Sequence, residues 1–403
     1  MLKKINKIKE TENATLKTFK EEVPSNYYQS NDRKGFEQYV ENMRYTFMYK
    51  YKFPPRLFKD AEVIDFGAGT GHKAINFAHW GAKCTLVELS EKSSAISKDL
   101  FKNFAKSYSD HRFINKSIFD YEEKNKQYDI VHCVGVLSHT AAKEDAFKKI
   151  SKFVKKGGFL IFGDPNKSGG FQNMLQRYAL YKFSSNDDEI CKNSEILFKE
   201  DIDRSEMAVK RTRKEIIYDR WVIQSQDDPS FLEVLKWMED CNLKFYSSYP
   251  NYPDFLISDS FYNKVKTNLS QIRNLPILAE LMWMTKTEDD KQFLKYLDED
   301  LASLNKNFNT LSSYMANCNV KTRIETYKFF NFSDDLLNSL NNASFTNKLK
   351  YKIIDFINES KNFIKLVNDG NFEDVKKFLD NKKYLFKGPV GIRHVDFIAY
   401  KEN

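Results

Sequence analysis

One glycine-rich stretch constrains the fold of this chain more than any other, and it reads VIDFGAGTG. An apolar run that contains Asp65 leads into Gly67, Gly69 and Gly71, and a helical pattern follows. Glycines between a strand and a helix let the backbone turn tightly beside a ligand, and the helix N-terminus offers unpaired N–H groups. Glu88 ends the next apolar run, where a carboxylate can accept hydrogen bonds from a ribose diol. The stretch therefore predicts a site for an adenosine-type cofactor.

Two cofactor classes compete for such a site, and the residues around the glycines separate them. A dinucleotide fingerprint has the spacing G-x-G-x-x-G. Here the spacing is G-x-G-x-G, and His72 stands in the sixth place, where close helix–strand packing favours a small residue. Asp65 near the end of the strand suits a cofactor with a positive ammonium group and sits badly near a pyrophosphate. Both points favour S-adenosylmethionine over a dinucleotide.

Short apolar runs alternate with amphipathic stretches from residue 61 to residue 164. This rhythm predicts an α/β fold with a parallel sheet and right-handed crossovers. It breaks after residue 164, returns at 228–250, and the alternating residues near the C-terminus predict a last strand. The long stretches between these parts look helical, so we expect one α/β domain with two insertions.

Five stretches of the sequence carry a resemblance to class I S-adenosylmethionine-dependent methyltransferases. VIDFGAGTG looks like the first motif of that family, and LVELS looks like its ribose-binding acid. YDIVHCVGVLSHT resembles the fourth strand in the ubiquinone-pathway and related small-molecule subgroup, and FVKKGGFLIFGDP resembles the Gly-Gly turn and fifth strand. GIRHVDFIAYKEN is similar to the antiparallel seventh strand. The resemblance implies a Rossmann-like seven-stranded sheet with helices on both faces and a mostly α-helical inserted domain.

The pattern and the resemblance together predict six consecutive segments. They are an N-terminal helical arm or lid (1–59), the cofactor-binding core (60–166), a helical insertion on the substrate side (167–227), the continued core with a helix and the sixth strand (228–256), an α-helical insertion that covers the substrate or mediates oligomerisation (257–388), and the last core strand (389–403).

The resemblance also implies which residues contact the cofactor. They follow the first four strands, and they are Asp65, Gly67, Ala68, Gly69, Gly71, Glu88, Leu89, Ser117, Ile118, Val134 and Gly135. In the family's arrangement Asp65 would meet the methionine end, Glu88 would hold the ribose hydroxyls, and Leu89 would pack beside the adenine. Many relatives carry Asp where Ser117 stands, so the adenine contact there would be weaker or would come from the Ile118 backbone.

Methyl transfer is a displacement on a sulfonium, for which the protein supplies position and, where needed, a base. His139 lies just past the fourth strand, where similar enzymes often carry His, so it is a candidate general base or substrate anchor. Asp164 follows the fifth strand at the mouth of the sheet and is a candidate for holding substrate or cofactor. Alternatively, His139 caps a helix or packs in the core, and Asp164 serves a turn.

A group of basic and aromatic residues precedes the point where the core resumes. Arg213, Tyr218, Arg220 and Trp221 stand close together in the sequence there. Arginine beside flat aromatic rings suits a phosphate, a carboxylate or a sugar, so these residues are candidates for substrate binding. The alternative is a surface helix whose aromatic side chains dock on the core.

Composition limits the partners. The 403 residues carry a net charge of +8 and are 41% hydrophobic, with no long run of like charge, so no nucleic-acid module is indicated. The best apolar run is too short to span a bilayer. Five widely spaced cysteines without a CxxC pair argue against disulfides and a structural metal. We therefore expect a bacterial cytoplasmic protein, with a homodimer through the helical insertion as one possibility.

These observations give a leading function and two alternatives. We expect a methyltransferase that uses S-adenosylmethionine, releases S-adenosylhomocysteine, and methylates an O or N atom of a small or medium-sized polar substrate. A sugar, a nucleotide-sugar or a natural product would fit that description. The alternatives are a methyltransferase acting on tRNA or protein, and a non-catalytic binding or assembly protein that keeps the fold.

Overall fold

The computed structural model describes residues 2–21, 28, 31–208, 212–223, 226–251, 274–286, 300–316, 322–387 and 393–403. The chain divides into two compact units. Unit 1 comprises Met1–Asp164, Glu233–Asn268 and Val395–Asn403, and unit 2 comprises Pro165–Leu232 and Leu269–His394. Most of the two predicted insertions lies in unit 2.

A seven-stranded sheet forms the framework of unit 1, with the strand order β3-β2-β1-β4-β5-β7-β6. Neighbouring strands from β3 to β5 pair in parallel, and β6 pairs antiparallel with β7. This confirms the predicted Rossmann-like α/β class. The strands are β1 (Glu62–Phe66), β2 (Lys83–Glu88), β3 (Arg112–Asn115), β4 (Tyr128–Val134), β5 (Val154–Pro165), β6 (Lys244–Tyr249) and β7 (His394–Tyr400).

The described residues also form α-helices throughout the chain. They are α1 (Leu2–Glu21), α2 (Arg33–Tyr45), α3 (Ala74–His79), α4 (Glu91–Phe104), α5 (Lys143–Ser151), α6 (Phe171–Phe183), α7 (Asp187–Leu197), α8 (Lys199–Ala208), α9 (Arg213–Ile217), α10 (Phe231–Asp240), α11 (Asn274–Thr285), α12 (Ala302–Ala316), α13 (Thr326–Asn342), α14 (Asn347–Asp369) and α15 (Phe372–Asn381). No helix of the described part is long and apolar enough to cross a membrane.

Aromatic packing ties the segment before β1 to the core of unit 1. Phe36 of α2 and Phe47 of the following π-helical turn are buried, as are Phe53 and Phe58. The ring of Phe58 stacks on Phe77 of α3 with 4.6 Å between centroids. Because burying each such side chain contributes about 1.5–3 kcal/mol, this segment belongs to the folded unit.

Unit 2 is helical, and α6 lies at its centre. This helix packs against α7, α11, α12, α14 and the π-helical turn at Tyr218–Val222. Residues 171–180 are all buried, although four of them are polar or charged: Gln172, Asn173, Gln176 and Arg177. A helix buried on every side is usually apolar throughout. The polar content of α6 therefore requires partners inside unit 2.

Candidate cofactor site

The order of the strands places a crevice at the carboxyl ends of β1 and β4. From β1 the chain turns to β2 and β3 on one side, whereas β4 and β5 lie on the other. In open α/β sheets, ligands bind outside the carboxyl ends of the strands at such a switch point. The loops after β1, β2 and β4 are therefore the ones that can surround a ligand.

The loop after β1 is fixed to β2 at Gly67 and borders open space at Gly69. The Gly67 N–H donates to the Val87 carbonyl over 2.8 Å, and a Cβ at Gly67 would lie 2.5 Å from Val136. A Cβ at Gly69 would meet no atom within 4 Å. Gly69 has φ +55°, a conformation that side chains disfavour. Gly67 thus serves packing, while Gly69 borders open space.

The loop after β4 has a second glycine of this kind. Gly135 has φ +79°, and a Cβ built on it would meet no atom within 4 Å. Its N–H donates to the Gly163 carbonyl over 2.7 Å, which fixes the loop to β5. Bare backbone at Gly69 and Gly135 leaves room for close approach of a ligand at the carboxyl ends of β1 and β4.

Glu88 binds the glycine loop directly. One carboxylate oxygen accepts the Gly69 N–H over 2.7 Å, and the other accepts the Ser90 N–H over 2.7 Å. Burial raises the pKa of Glu88, and the nearby Asp65 contributes in the same direction. Each oxygen still has a free lone pair that a ribose hydroxyl can use. The sequence pointed to the ribose role but not to the bond with Gly69.

Asp65 lies in β1 opposite His132 of β4. The His132 Nδ1 and the Asp65 carboxylate are 2.6 Å apart, and both side chains are buried. This contact orients the Asp65 carboxylate at the end of β1. The partner of His132 is therefore the residue that is predicted to meet the methionine end of the cofactor.

The predicted adenine edge contains a carboxylate that the sequence did not reveal. Ser117 is buried, and its hydroxyl binds the carboxylate of Glu12 in α1 while accepting the Phe119 N–H over 3.0 Å. Burial raises the pKa of Glu12. Ile118 is buried beside Ser117. The arm predicted as a lid therefore contributes a side chain to this edge.

Backbone contacts fix the other predicted positions around the crevice. Asn115 donates its side-chain amide to the carbonyl of Leu89 over 3.0 Å, so the backbone after β2 is held in place. Lys73 reaches the carbonyl of Val134 over 3.5 Å. Ala68 donates its N–H to the Val87 carbonyl over 3.2 Å. Leu89, Val134 and Ala68 thus lie on ordered loops.

Gly71 is a packing glycine. Its φ is +79°, and an added Cβ would lie 2.8 Å from Ser97 of α4. A role for Gly71 in close helix packing accounts for its place in the motif.

The two candidate catalytic residues belong to one local structure. His139 ends a short 3₁₀ turn, Leu137–His139, which follows β4. Asp164 is buried, and its two oxygens accept the N–H and the hydroxyl of Ser138, each over 3.1 Å. Asp164 therefore stabilises the turn that carries His139. Direct roles for either residue in substrate binding or proton transfer stay predictions.

Arg213 of unit 2 is surrounded by carboxylates. The three ion pairs lie between 2.6 and 2.7 Å, and the partners are Glu195, Asp203 and Glu206. Its guanidinium is thereby committed to partners within unit 2. Substrate binding by Arg213 stays a prediction.

The other three predicted substrate residues lie inside unit 2. Tyr218 and Trp221 are buried in its core. Arg220 pairs with Asp201 over 2.7 Å, and its guanidinium lies 4.8 Å from the centroid of the Trp221 ring. The structure brings Arg220 and Trp221 together, and their role towards a substrate stays a prediction.

Comparison with known proteins identifies the domain that contains the crevice. Residues 39–194 match a family described as a methyltransferase domain. The chain is 29% identical over 106 residues to the ubiquinone biosynthesis O-methyltransferase of Nitrosomonas europaea. Residues 39–194 form a class I S-adenosylmethionine-dependent methyltransferase domain. The family and cofactor predictions are confirmed for this methyltransferase domain, and most of unit 2 lies beyond it.

The curated relatives match only in part. The Nitrosomonas protein aligns with 26% of this chain and 44% of its own length. The sarcosine/dimethylglycine N-methyltransferase of Halorhodospira halochloris is 27% identical over 129 residues, which are 30% of this chain and 45% of that protein. The chain thus spans less than half the length of these relatives.

Solved structures with similarity to the chain include methyltransferases with bound cofactor or product. The magnesium protoporphyrin IX methyltransferase of Synechocystis PCC 6803, with bound S-adenosylmethionine, is 18% identical; the match covers 38% of this chain and 75% of that one, with a TM-score of 0.29. The N-methyltransferase NodS of Bradyrhizobium japonicum WM9, in complex with S-adenosylhomocysteine, is 14% identical. This match also covers 38% of the present chain and 75% of NodS, with a TM-score of 0.30.

Proposed function

We propose that the chain transfers a methyl group from S-adenosylmethionine to an O or N atom of a small or medium-sized polar substrate, such as a sugar, a nucleotide-sugar or a natural product. The observation that carries this proposal is the open space beside Gly69 and Gly135, with Asp65 and Glu88 near the carboxyl ends of β1 and β2. Among the described residues, no group of His, Cys, Asp and Glu could hold a metal ion.

The donors and acceptors at the crevice fit the cofactor's parts. When bound, S-adenosylmethionine supplies a methyl group on a sulfonium with a good leaving group. Glu88 would accept hydrogen bonds from the ribose hydroxyls, and Asp65 would attract the ammonium group. The bare backbone at Gly69 and Gly135 would allow close approach on both sides.

His139 is the proposed proton acceptor. It follows Gly135 by four residues and lies on the turn that Asp164 holds through Ser138. A neutral imidazole can take a proton from a hydroxyl or an ammonium near pH 7. In this proposal Asp164 is a positioning residue, because it acts through the turn.

The functions of two relatives support a small acceptor. One is an O-methyltransferase of ubiquinone biosynthesis, and another methylates the nitrogen of sarcosine or dimethylglycine. The predicted covering or dimerising role of residues 257–388 falls partly outside the described residues and stays a prediction.

A labelling experiment tests the proposal. The full chain is incubated with methyl-labelled S-adenosylmethionine and a bacterial extract separated by size into small molecules and macromolecules. After the labelling by the extract alone is subtracted, we expect a labelled small molecule other than the cofactor, and none with Gly69→Val, which fills the open space. Label only in RNA or protein would contradict the small-acceptor assignment. Cofactor binding without transfer to either fraction would contradict catalysis.

A further inference from the structure

A buried arginine at the centre of unit 2 has no hydrogen-bond partner among the described residues. Arg177 lies in the middle of α6 and is 0% exposed. Its Nε, Nη1 and Nη2 atoms make no hydrogen bond with any described residue. Its guanidinium lies over the ring of Tyr181, 4.9 Å from the ring centroid. Because an arginine side chain stays charged in proteins, unit 2 holds a buried positive charge here.

Several buried cations of unit 2 lie near one another. Arg393 is close to Arg177 and Arg220, and it also faces two acids, Asp219 and Asp228. Lys286 lies near Arg220 and Arg393 as well. Burial lowers the pKa of both Lys286 and Arg393, because a buried site disfavours the charged form.

The best-placed acid of this region is already engaged. Asp201 pairs with Arg220 over 2.7 Å and with Arg204 over 2.9 Å, and it accepts a hydrogen bond from Gln176 over 2.8 Å. Gln176 precedes Arg177 in α6, so the neighbouring side chain takes a contact that Arg177 lacks. The carboxylate of Asp201 therefore compensates Arg220 and not Arg177.

Other buried donors in the same region are unpaired too. The Nε atom of Arg393 has no hydrogen-bond partner in the described part of the chain, and neither has the indole N–H of Trp221. The Trp221 ring packs against the Arg220 guanidinium. The backbone carbonyl of Trp221 accepts a hydrogen bond from the Tyr181 hydroxyl over 2.8 Å. Unit 2 thus has three buried side chains with N–H groups that find no partner in the described part of the chain, namely Arg177, Trp221 and Arg393.

An unpaired buried guanidinium costs several kcal/mol unless an anion compensates it. The planar fork of arginine matches the two oxygens of a carboxylate or a phosphate. We propose that unit 2 contains a binding site for the oxyanion group of a small ligand, a phosphate or a carboxylate, and that Arg177 holds this group through a bidentate pair. Arg393 and Trp221 supply further donors. The proposal does not rest on methyl transfer, because the site lies within unit 2.

Thermal unfolding and calorimetry of the full chain test this site. Inorganic phosphate, glycerol phosphate and succinate are each compared with sodium chloride at equal ionic strength. We expect at least one oxyanion to raise the Tm of the wild type above its value in chloride. Phosphate or succinate acting alone would identify which oxyanion the site takes, and glycerol phosphate acting without inorganic phosphate would indicate an organic ligand.

Variants connect the effect to Arg177. Arg177→Met should weaken oxyanion binding by about 100-fold or more, because a buried charge pair is lost. Lys199→Met removes an exposed cation of the same unit and should keep the wild-type response. If Arg177→Met does not fold, Arg177→Lys keeps the charge without the fork and should bind about 10-fold more weakly. The proposal is wrong if no oxyanion raises the wild-type Tm, or if these Arg177 variants bind as the wild type does.

Discussion

Replacing Glu88 by glutamine tests how the crevice holds a ribose. Glu88→Gln keeps the size of the side chain and removes its charge. Glu88 holds the Gly69 N–H with one oxygen and the Ser90 N–H with the other, so its position in the crevice is fixed. Glutamine has one acceptor oxygen where glutamate has two, so the variant loses the charge that two ribose hydroxyls would meet and also one of these two backbone contacts.

The magnitude follows from the number of hydrogen bonds. A hydrogen bond to a charged group contributes about 1.5–3 kcal/mol, against about 0.5–1.5 kcal/mol for a neutral pair. Removing the charge should then cost about 1 kcal/mol for each hydroxyl. The total of about 2 kcal/mol corresponds to about a 30-fold rise in the Kd for S-adenosylmethionine.

The pH dependence of binding gives a second readout. Burial raises the pKa of Glu88, so the carboxyl group takes up its proton at a higher pH than an exposed glutamate. Only the ionised form offers the charge, so wild-type affinity should fall as the pH drops through this raised pKa. Glu88→Gln has no proton to gain there and should lack that part of the decrease.

Isothermal titration calorimetry over a pH series measures both effects. Glu91→Gln is the matched control, because Glu91 is an exposed glutamate three residues away, in the first turn of α4. It should bind S-adenosylmethionine as the wild type does. The reasoning is refuted if folded Glu88→Gln binds within twofold of the wild type, or if it keeps the full pH dependence.

Three further variants test the other parts of the crevice. Gly135→Val should weaken S-adenosylmethionine binding in calorimetry by at least about 10-fold, because the new side chain fills open space. The control Gly157→Val has a similar φ of +75° and should only lower stability. An equal loss of binding in both variants would contradict this reasoning. Asp164→Ala removes both carboxylate oxygens that accept from Ser138 and should lower the free energy of unfolding in urea by about 2 kcal/mol. An unchanged urea midpoint of unfolding would argue that Asp164 does not stabilise this turn. His139→Ala should lower kcat by about 10²–10⁴-fold with an unchanged Kd for S-adenosylmethionine, and an unchanged kcat would exclude His139 as the base.

The sheet could be predicted because its strands are buried on both faces. Such strands read as continuous apolar runs, and EVIDF and YDIVHCV correspond to β1 and β4. The glycine loop and Glu88 could be found because turn, helix start and ribose acid stand at a short, fixed spacing. Local sequence was sufficient wherever neighbours in the chain are also neighbours in the fold.

Contacts between distant residues could not be predicted. Glu12 and Ser117 are 105 positions apart, and α1 reads as a polar segment with no evident core face. Arg177 is a charged residue in a helix with both apolar and polar side chains, and the packing of α11, α12 and α14 around α6 buries it. No spacing rule connects such residues, because their burial depends on the assembly of the whole unit.

A crystal structure of the full chain with S-adenosylhomocysteine tests the central claim most directly. We predict the product at the carboxyl ends of β1, β2 and β4, with the ribose hydroxyls within hydrogen-bond distance of Glu88. The sulfur end should lie between Gly69 and Gly135, and the adenine should lie beside Ile118. Density for the product elsewhere, or ribose hydroxyls that do not contact Glu88, would contradict the account.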